Sequence, residues 1–228
     1  AFLDADDEYL PNALSDFAGF LDQYSEFDVV YSDGYICTET GERLVRLTEI
    51  RPGIYTGKIL NQVVLDPGVI TVPVCTMTRK VTIKTVRARF DTKMVIGPDW
   101  DFWIQLATIA NFGYMDRVTC LYRIHSSSIQ QTAGIEKRRN NLIYGRLKIM
   151  YSAWFKDLSE HTRENFFYYF LVEQLEGRTD QQRSVLASDL IKDLRPEFCA
   201  RLWRQVGIGA LMNNDTVFAN ECFDQAKI

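Results

Sequence analysis

With 228 residues, 46% hydrophobic and 25% charged, the chain can bury a sizeable core and holds one domain or one and a half. A net charge of −4 offers no basic face to nucleic acid, and five scattered cysteines without a CxxC or a Cys/His knuckle argue for buried thiols rather than zinc. No stretch reaches the roughly 18 apolar residues of a membrane span. None reads as a secretory leader, so the expected location is the cytoplasm.

The chain opens AFLDADDEYLPNAL. Ala1–Leu3 read as the last residues of a buried strand, and a start in mid-strand suggests that something upstream has been removed. Pro11 suits a first helical turn, and Leu14, Phe17, Ala18 and Leu21 continue at helical spacing to about Tyr24. Phe27–Ile36 is β-rich, followed by a turn at Thr40–Gly41 and a second strand at Leu44–Leu47. Thr56–Leu65 is expected to be a short helix. Val69–Thr78 is expected to be a strand, with Pro73 placing it at an edge or bulge. IGPDWDFWIQLATIANFG is the clearest helix: Gly97 and Pro98 mark its entry, and Trp100, Trp103, Ile104 and Ala107 share one face. Tyr114–His125 alternates as a strand, and SSSIQQTAG is a polar loop. From about Ile135 the composition turns to helical stretches broken near Leu158–Ser159, Gly177–Thr179 and Arg195–Pro196. The expected organisation is mixed α/β over residues 1–133 and all-α over 134–228. The end of the chain has the spacing of a tetratricopeptide-like helix pair.

Residues 134–228 hold 14 Lys/Arg and 13 Asp/Glu, leaving 12 against 17 in the first 133, so the acidic excess lies with the opening cluster. Asp4, Asp6 and Asp7 fall within four positions and repel one another. Such a cluster caps a helix, faces open water or holds a cation. A charged turn with Asp6 or Asp7 capping the next helix is the plain reading. An EF-hand calcium loop fails, because Tyr9 and Ser15 stand where Gly and Glu are required. An Asp-nucleophile phosphatase would want a small residue where Asp7 stands. The remaining reading is a hard cation, Mg²⁺ or Mn²⁺, at the carboxyl edge of a sheet.

Two later segments supply partners for that reading. In PDWDFW, Asp99 and Asp101 sit in a turn made rigid by Trp100 and Trp103, as a general base requires. In YRIHSSS, His125 lies where a strand enters a polar loop, beside Tyr122 and Arg123, which are phosphate-binding types.

In this order and at these separations, FLDADDEYLPNAL, IGPDWDFWIQLA and YRIHSSSI resemble the DxD, Glu-Asp and Tyr-Arg-x-His segments of a family 2 glycosyltransferase of the GT-A fold. TMTRK and ARFDTKM match that family more loosely. The resemblance covers about residues 1–130 and implies a partial GT-A fold, a Rossmann-like mixed sheet with flanking helices, followed by a helical C-terminal region. In that family about a hundred base-binding residues precede the DxD, which accords with a truncated chain.

The resemblance implies inverting transfer from a nucleotide-diphosphate sugar donor to a glycan or lipid-linked acceptor, in surface polysaccharide or glycolipid synthesis at the inner face of the membrane. Asp6, with Asp4 and His125, would hold the metal. Asp4 and Asp7, with Tyr122 and Arg123, would contact the nucleotide and diphosphate. Asp99 would be the base, with Asp101 as the other candidate. The chain departs from the pattern at Pro98, where the family carries Glu. The competing expectation is a non-catalytic binding module whose helical tail docks a partner, a membrane face or a second copy.

Overall fold

A computed structural model describes residues 1–227, apart from the side chains of Gln130 and Gln131. The chain divides into two compact units, Ala1–Asn141 and Leu142–Ile228. The composition change at residue 133 comes shortly before that division.

The first unit is organised by one strand buried on both faces. β2 (Val29–Thr38) is rich in β-branched and aromatic residues, and its first six residues are buried. It pairs in parallel with the long β5 (Phe112–Ile124), which pairs antiparallel with the two-residue β1 (Glu8–Tyr9). On its other edge β2 pairs antiparallel with β3 (Arg43–Arg46) through one half and β4 (Thr76–Thr78) through the other. Parallel strands need a crossover, and the helices between β2 and β5 provide it. α1 (Ala13–Gln23) lays Phe17 and Leu21 against Val30 on one face. On another side of the sheet, Leu47, Val72, Val74 and Cys75 pack with Cys120. Leu47 belongs to the single-turn α2 (Leu47–Ile50).

The strand expected at Ala1–Leu3 does not form. A strand needs a ladder partner, and at this end of the chain β5 pairs with Glu8–Tyr9. The strand expected over Val69–Thr78 shrinks to Thr76–Thr78, preceded by 3₁₀ turns at Pro67–Ile70 and Pro73–Cys75. Proline at the head of each turn removes a ladder donor, and Asp66 caps the first through the Gly68 N–H. The expected short helix is α3 (Leu60–Leu65), and an unforeseen helix, α4, covers Lys80–Val86.

α5 (Pro98–Ala107) forms where the sequence marked it. Gly97 takes a left-handed conformation (φ 73°), which glycine adopts without steric cost, and Pro98 occupies the first turn. Trp100 and Trp103 are 2% and 1% exposed, hence core anchors rather than sugar platforms. The Trp100 indole N–H donates to the Val63 carbonyl at 2.6 Å, tying α5 to α3. After β5 the expected polar loop contains one helical turn, α6 (Ile129–Thr132), and then α7 (Ile135–Met150) begins.

The second unit is helical: α8 (Glu160–Tyr168), a π-helical continuation (Tyr169–Gln174), α9 (Thr179–Leu186), α10 (Asp189–Lys192), α11 (Pro196–Met212) and α12 (Thr216–Gln225). Ser159 caps α8 through the Thr162 N–H. Phe155, Phe166, Phe167 and Phe170 form a buried aromatic cluster, while Tyr169 is exposed. Among the described residues no helix is long and apolar enough to cross a membrane.

Candidate active site

The acidic segment is held as a closed loop. Tyr9, in β1, donates its hydroxyl to the Phe2 carbonyl at 2.6 Å, and the Asp7 N–H bonds the Asp4 carbonyl at 3.2 Å. The Leu10 N–H bonds the Thr119 carbonyl of β5 at 2.8 Å. Neither Asp6 nor Asp7 caps α1, whose N-cap is Asn12 without a side-chain bond. Their partners come from the end of β5 instead.

His125 Nε2 lies 2.8 Å from Asp6 Oδ2, and its Nδ1 lies 2.8 Å from Ser127 Oγ. The His125 bond is the main influence holding the Asp6 carboxyl below its ordinary pKa. Asp7 Oδ1 accepts from the Arg123 backbone N–H at 3.0 Å, while its buried Oδ2 has no hydrogen-bond partner. Burial pushes the Asp7 pKa up to about 6 against the bond from Arg123, and the charges of Asp6 and Asp4 add to the rise. Asp4 is raised as well, first by desolvation and then by the Asp6 charge. The Arg123 guanidinium is engaged by Glu8 Oε2 at 2.8 Å and by the Glu39 carbonyl at 3.3 Å.

Asp4, Asp6, Tyr122, Arg123 and Asp99 line a single cavity of about 590 Å³. Asp99 enters it from the first turn of α5. Desolvation raises its pKa, partly offset by bonds from the Trp100 and Asp99 backbone N–H groups, and the Asp4 charge adds to the rise. Tyr122 is pushed up to about 12 by burial and by the surrounding carboxylates. Asp101 goes elsewhere. It is buried and accepts from Gln105 Nε2 at 2.8 Å, one turn along the same helix.

Two features of the site carried no signal in the sequence reading. Asn141 Oδ1 accepts from the Val95 and Ile96 N–H groups at 2.7 and 2.9 Å, fixing the cavity wall that leads into Gly97. Asp33, fully buried in β2, accepts from the Gly34 and Thr48 N–H groups at 2.9 and 3.0 Å, from Thr48 Oγ1 at 3.0 Å and from Arg46 Nε at 2.6 Å. It pins α2, which leads to Arg51, and Arg51 Nε donates to Thr71 Oγ1 at 3.0 Å on the cavity's edge.

Among the described residues no three His, Cys, Asp or Glu side chains converge closely enough to hold a metal by themselves. The donor set is instead the Asp6–His125 pair, of which Asp6 lines the cavity and His125 does not, with Asp4 and Asp99 also on the lining. Mg²⁺ and Mn²⁺ are commonly held by one or two carboxylates plus substrate phosphates and water; Asp4 and Asp6 supply oxygens of that type, whereas His125 supplies a nitrogen.

No protein-family model and no curated protein sequence matches the chain. Among solved structures, the chain is similar to residues 1–349 of Staphylococcus aureus TarS, a glycosyltransferase, in complex with UDP-GlcNAc. The TM-score is 0.55 at 16% identity, over 99% of this chain and 65% of that one. The chain thus spans about 65% of the length of that neighbour. The likeness carries the fold: a mixed α/β, partial GT-A architecture followed by an all-α region.

Proposed function

We propose that the first unit is the metal- and acceptor-side portion of an inverting family 2 type glycosyltransferase that uses a nucleotide-diphosphate sugar. The observation that carries this reading is the meeting of Asp4, Asp6, Asp99, Tyr122 and Arg123 on one cavity, in a fold shared with a glycosyltransferase solved with UDP-GlcNAc.

Asp6 and His125 would hold Mg²⁺ or Mn²⁺, with Asp4 beside them. When bound, the metal neutralises charge building on the departing diphosphate. Asp99 acts as the general base. As the acceptor oxygen bonds to the anomeric carbon, that carbon's bond to the diphosphate oxygen breaks on the opposite face, and the hydroxyl proton passes to the Asp99 carboxylate. Desolvation makes that carboxylate a stronger base than a free aspartate. Asp101, bonded to Gln105, shapes the helix rather than the reaction. Arg123 holds the acidic loop in place through Glu8 and its own backbone N–H to Asp7, and Tyr122, on the cavity lining, would contact the diphosphate. Surface polysaccharide or glycolipid synthesis at a membrane's cytoplasmic face is the setting this chemistry suits.

The test is Asp99→Asn. Transfer should fall by about 10²–10⁴-fold while nucleotide-sugar binding persists. Equal loss of both would remove the base role. His125→Ala should weaken manganese-dependent nucleotide binding, and an unchanged metal dependence would take His125 out of the metal's shell.

A further inference from the structure

We infer that the acceptor seated in this cavity is an uncharged hydroxyl compound with an apolar body, and that Phe90 is the platform on which that body rests. Naming the occupant an acceptor rests on the transfer reading above.

The first argument is the state of Phe90. It lines the cavity and is 43% exposed. One side of its ring is stacked on Phe102, with centroids 4.7 Å apart at 14°, and Phe2 meets it edge-on at 5.5 Å. Phe102 is 3% exposed and also touches Trp103 and Phe2, so the stack is anchored in the core. An aromatic ring held from behind and bare in front gives up little conformational freedom when a ligand covers it.

The second argument is what accompanies it. Leu3, Val95 and Ile129 line the same cavity at 55%, 41% and 60% exposure. The Val95–Ile96 wall is fixed by its two bonds to Asn141. Apolar side chains gathered on a concave, braced surface mark a binding site more than chance exposure does.

The third argument is charge. Among the described residues the lining holds Asp4, Asp6 and Asp99 against one cation, Arg123, which is already paired with Glu8. A divalent cation on Asp6 would be matched by the donor's diphosphate. A phosphate-bearing acceptor would then meet unopposed carboxylates beside Asp99, an arrangement that rejects anions. Arg89 and Lys93 neighbour Phe90 in sequence but do not line the cavity.

The experiment titrates the full chain with alkyl β-glucosides, methyl to octyl, below their micelle concentrations, and with glucose 6-phosphate. Affinity should rise about fourfold per methylene over several carbons. Phe90→Ser and, separately, Val95→Ser should flatten the series, the second leaving the aromatic stack intact. Methyl glucoside should outbind glucose 6-phosphate. A series flat in the unaltered protein, a slope unchanged in both variants, or tighter binding of the phosphate would each overturn the inference. Transfer to the same glucosides, measured with donor and manganese, reads the enzymatic assignment separately. A steep series establishes the apolar seat whether or not transfer occurs, whereas transfer with a flat series upholds the enzymatic assignment and overturns the seat.

Discussion

Replacing Asp33 by Asn tests whether one buried carboxylate fixes the edge of the cavity. The side chain is fully buried and both oxygens face only donors: two backbone N–H groups at Oδ1, and Thr48 Oγ1 and Arg46 at Oδ2. An amide is nearly isosteric; with its NH₂ at the Oδ2 position the Thr48 hydroxyl can turn to accept, so Arg46 is the donor left without its partner. A hydrogen bond to a charged group contributes about 1.5–3 kcal/mol, and one would be lost outright. Arg46 is 40% exposed and can turn to water, which removes the penalty of a stranded buried charge. The expected cost is therefore about 2 kcal/mol, or a fall in Tm of roughly 4–8 °C for a chain of this size.

Acid supplies the second arm of that test. Burial works to raise the Asp33 pKa, but the bonds from Gly34, Thr48 and Arg46 outweigh it and hold it below the ordinary carboxylate value. A depressed folded-state pKa gives stability that is present above the unfolded-state pKa and lost as pH falls through the folded one. The gap between the unaltered protein and Asp33→Asn should thus be full at neutral pH and close in strong acid. Urea unfolding at several pH values, read by tryptophan fluorescence, measures it. A gap below about 0.5 kcal/mol at neutral pH, or one that persists unchanged in acid, would refute the reasoning.

The pH profile of transfer should show an acid limb centred above the ordinary aspartate range, because desolvation makes Asp99 retain its proton to higher pH. A limb at the ordinary value would mean that another group titrates. Asn141→Ala should speed amide exchange at Val95 and Ile96, each bond being worth about 1 kcal/mol, and unchanged exchange would show the wall is held otherwise. In the second unit, Gly207→Ala puts a Cβ 3.0 Å from Cys222 Cβ and 2.9 Å from the Phe223 ring, where α11 meets α12. Overpacking of about 1–3 kcal/mol should outweigh the roughly 1 kcal/mol helix-propensity gain, lowering Tm. A raised Tm would show that the pair yields freely.

The segments that meet at the cavity were legible because each carries its own local signal. Gly97–Pro98 followed by apolar residues at i, i+3, i+4 and i+7 can hardly be anything but a helix entry, and α5 begins there. Asp99 and Asp101 could not be separated by the same means. Two residues apart on a helix is about 200° of rotation, so one of the two had to leave the cavity, and nothing local says which. Val69–Thr78 was misread because β-branched content outweighed three turn formers, Pro67, Gly68 and Pro73. α4 was missed for the related reason that Val81, Thr82, Ile83, Thr85 and Val86 are poor advertisements for a helix. Phe90 and Asp33 were illegible in principle. Each is defined by a partner reached only after folding, Phe102 for one and Arg46 with Thr48 for the other.

The loop carrying Asp4, Asp6 and Asp7 is pinned by Tyr9 to Phe2 and by Leu10 to Thr119, so its carboxylates cannot drift apart to relieve their repulsion. Folding keeps these charges near one another, since the Asp6 charge raises the pKa of both Asp4 and Asp7, and a cation bound beside them would offset part of that repulsion. Cation affinity and thermal resistance would therefore be two readings of one free energy. Cutting the Tyr9 tether would soften both together, leaving the acids as numerous as before but no longer gathered.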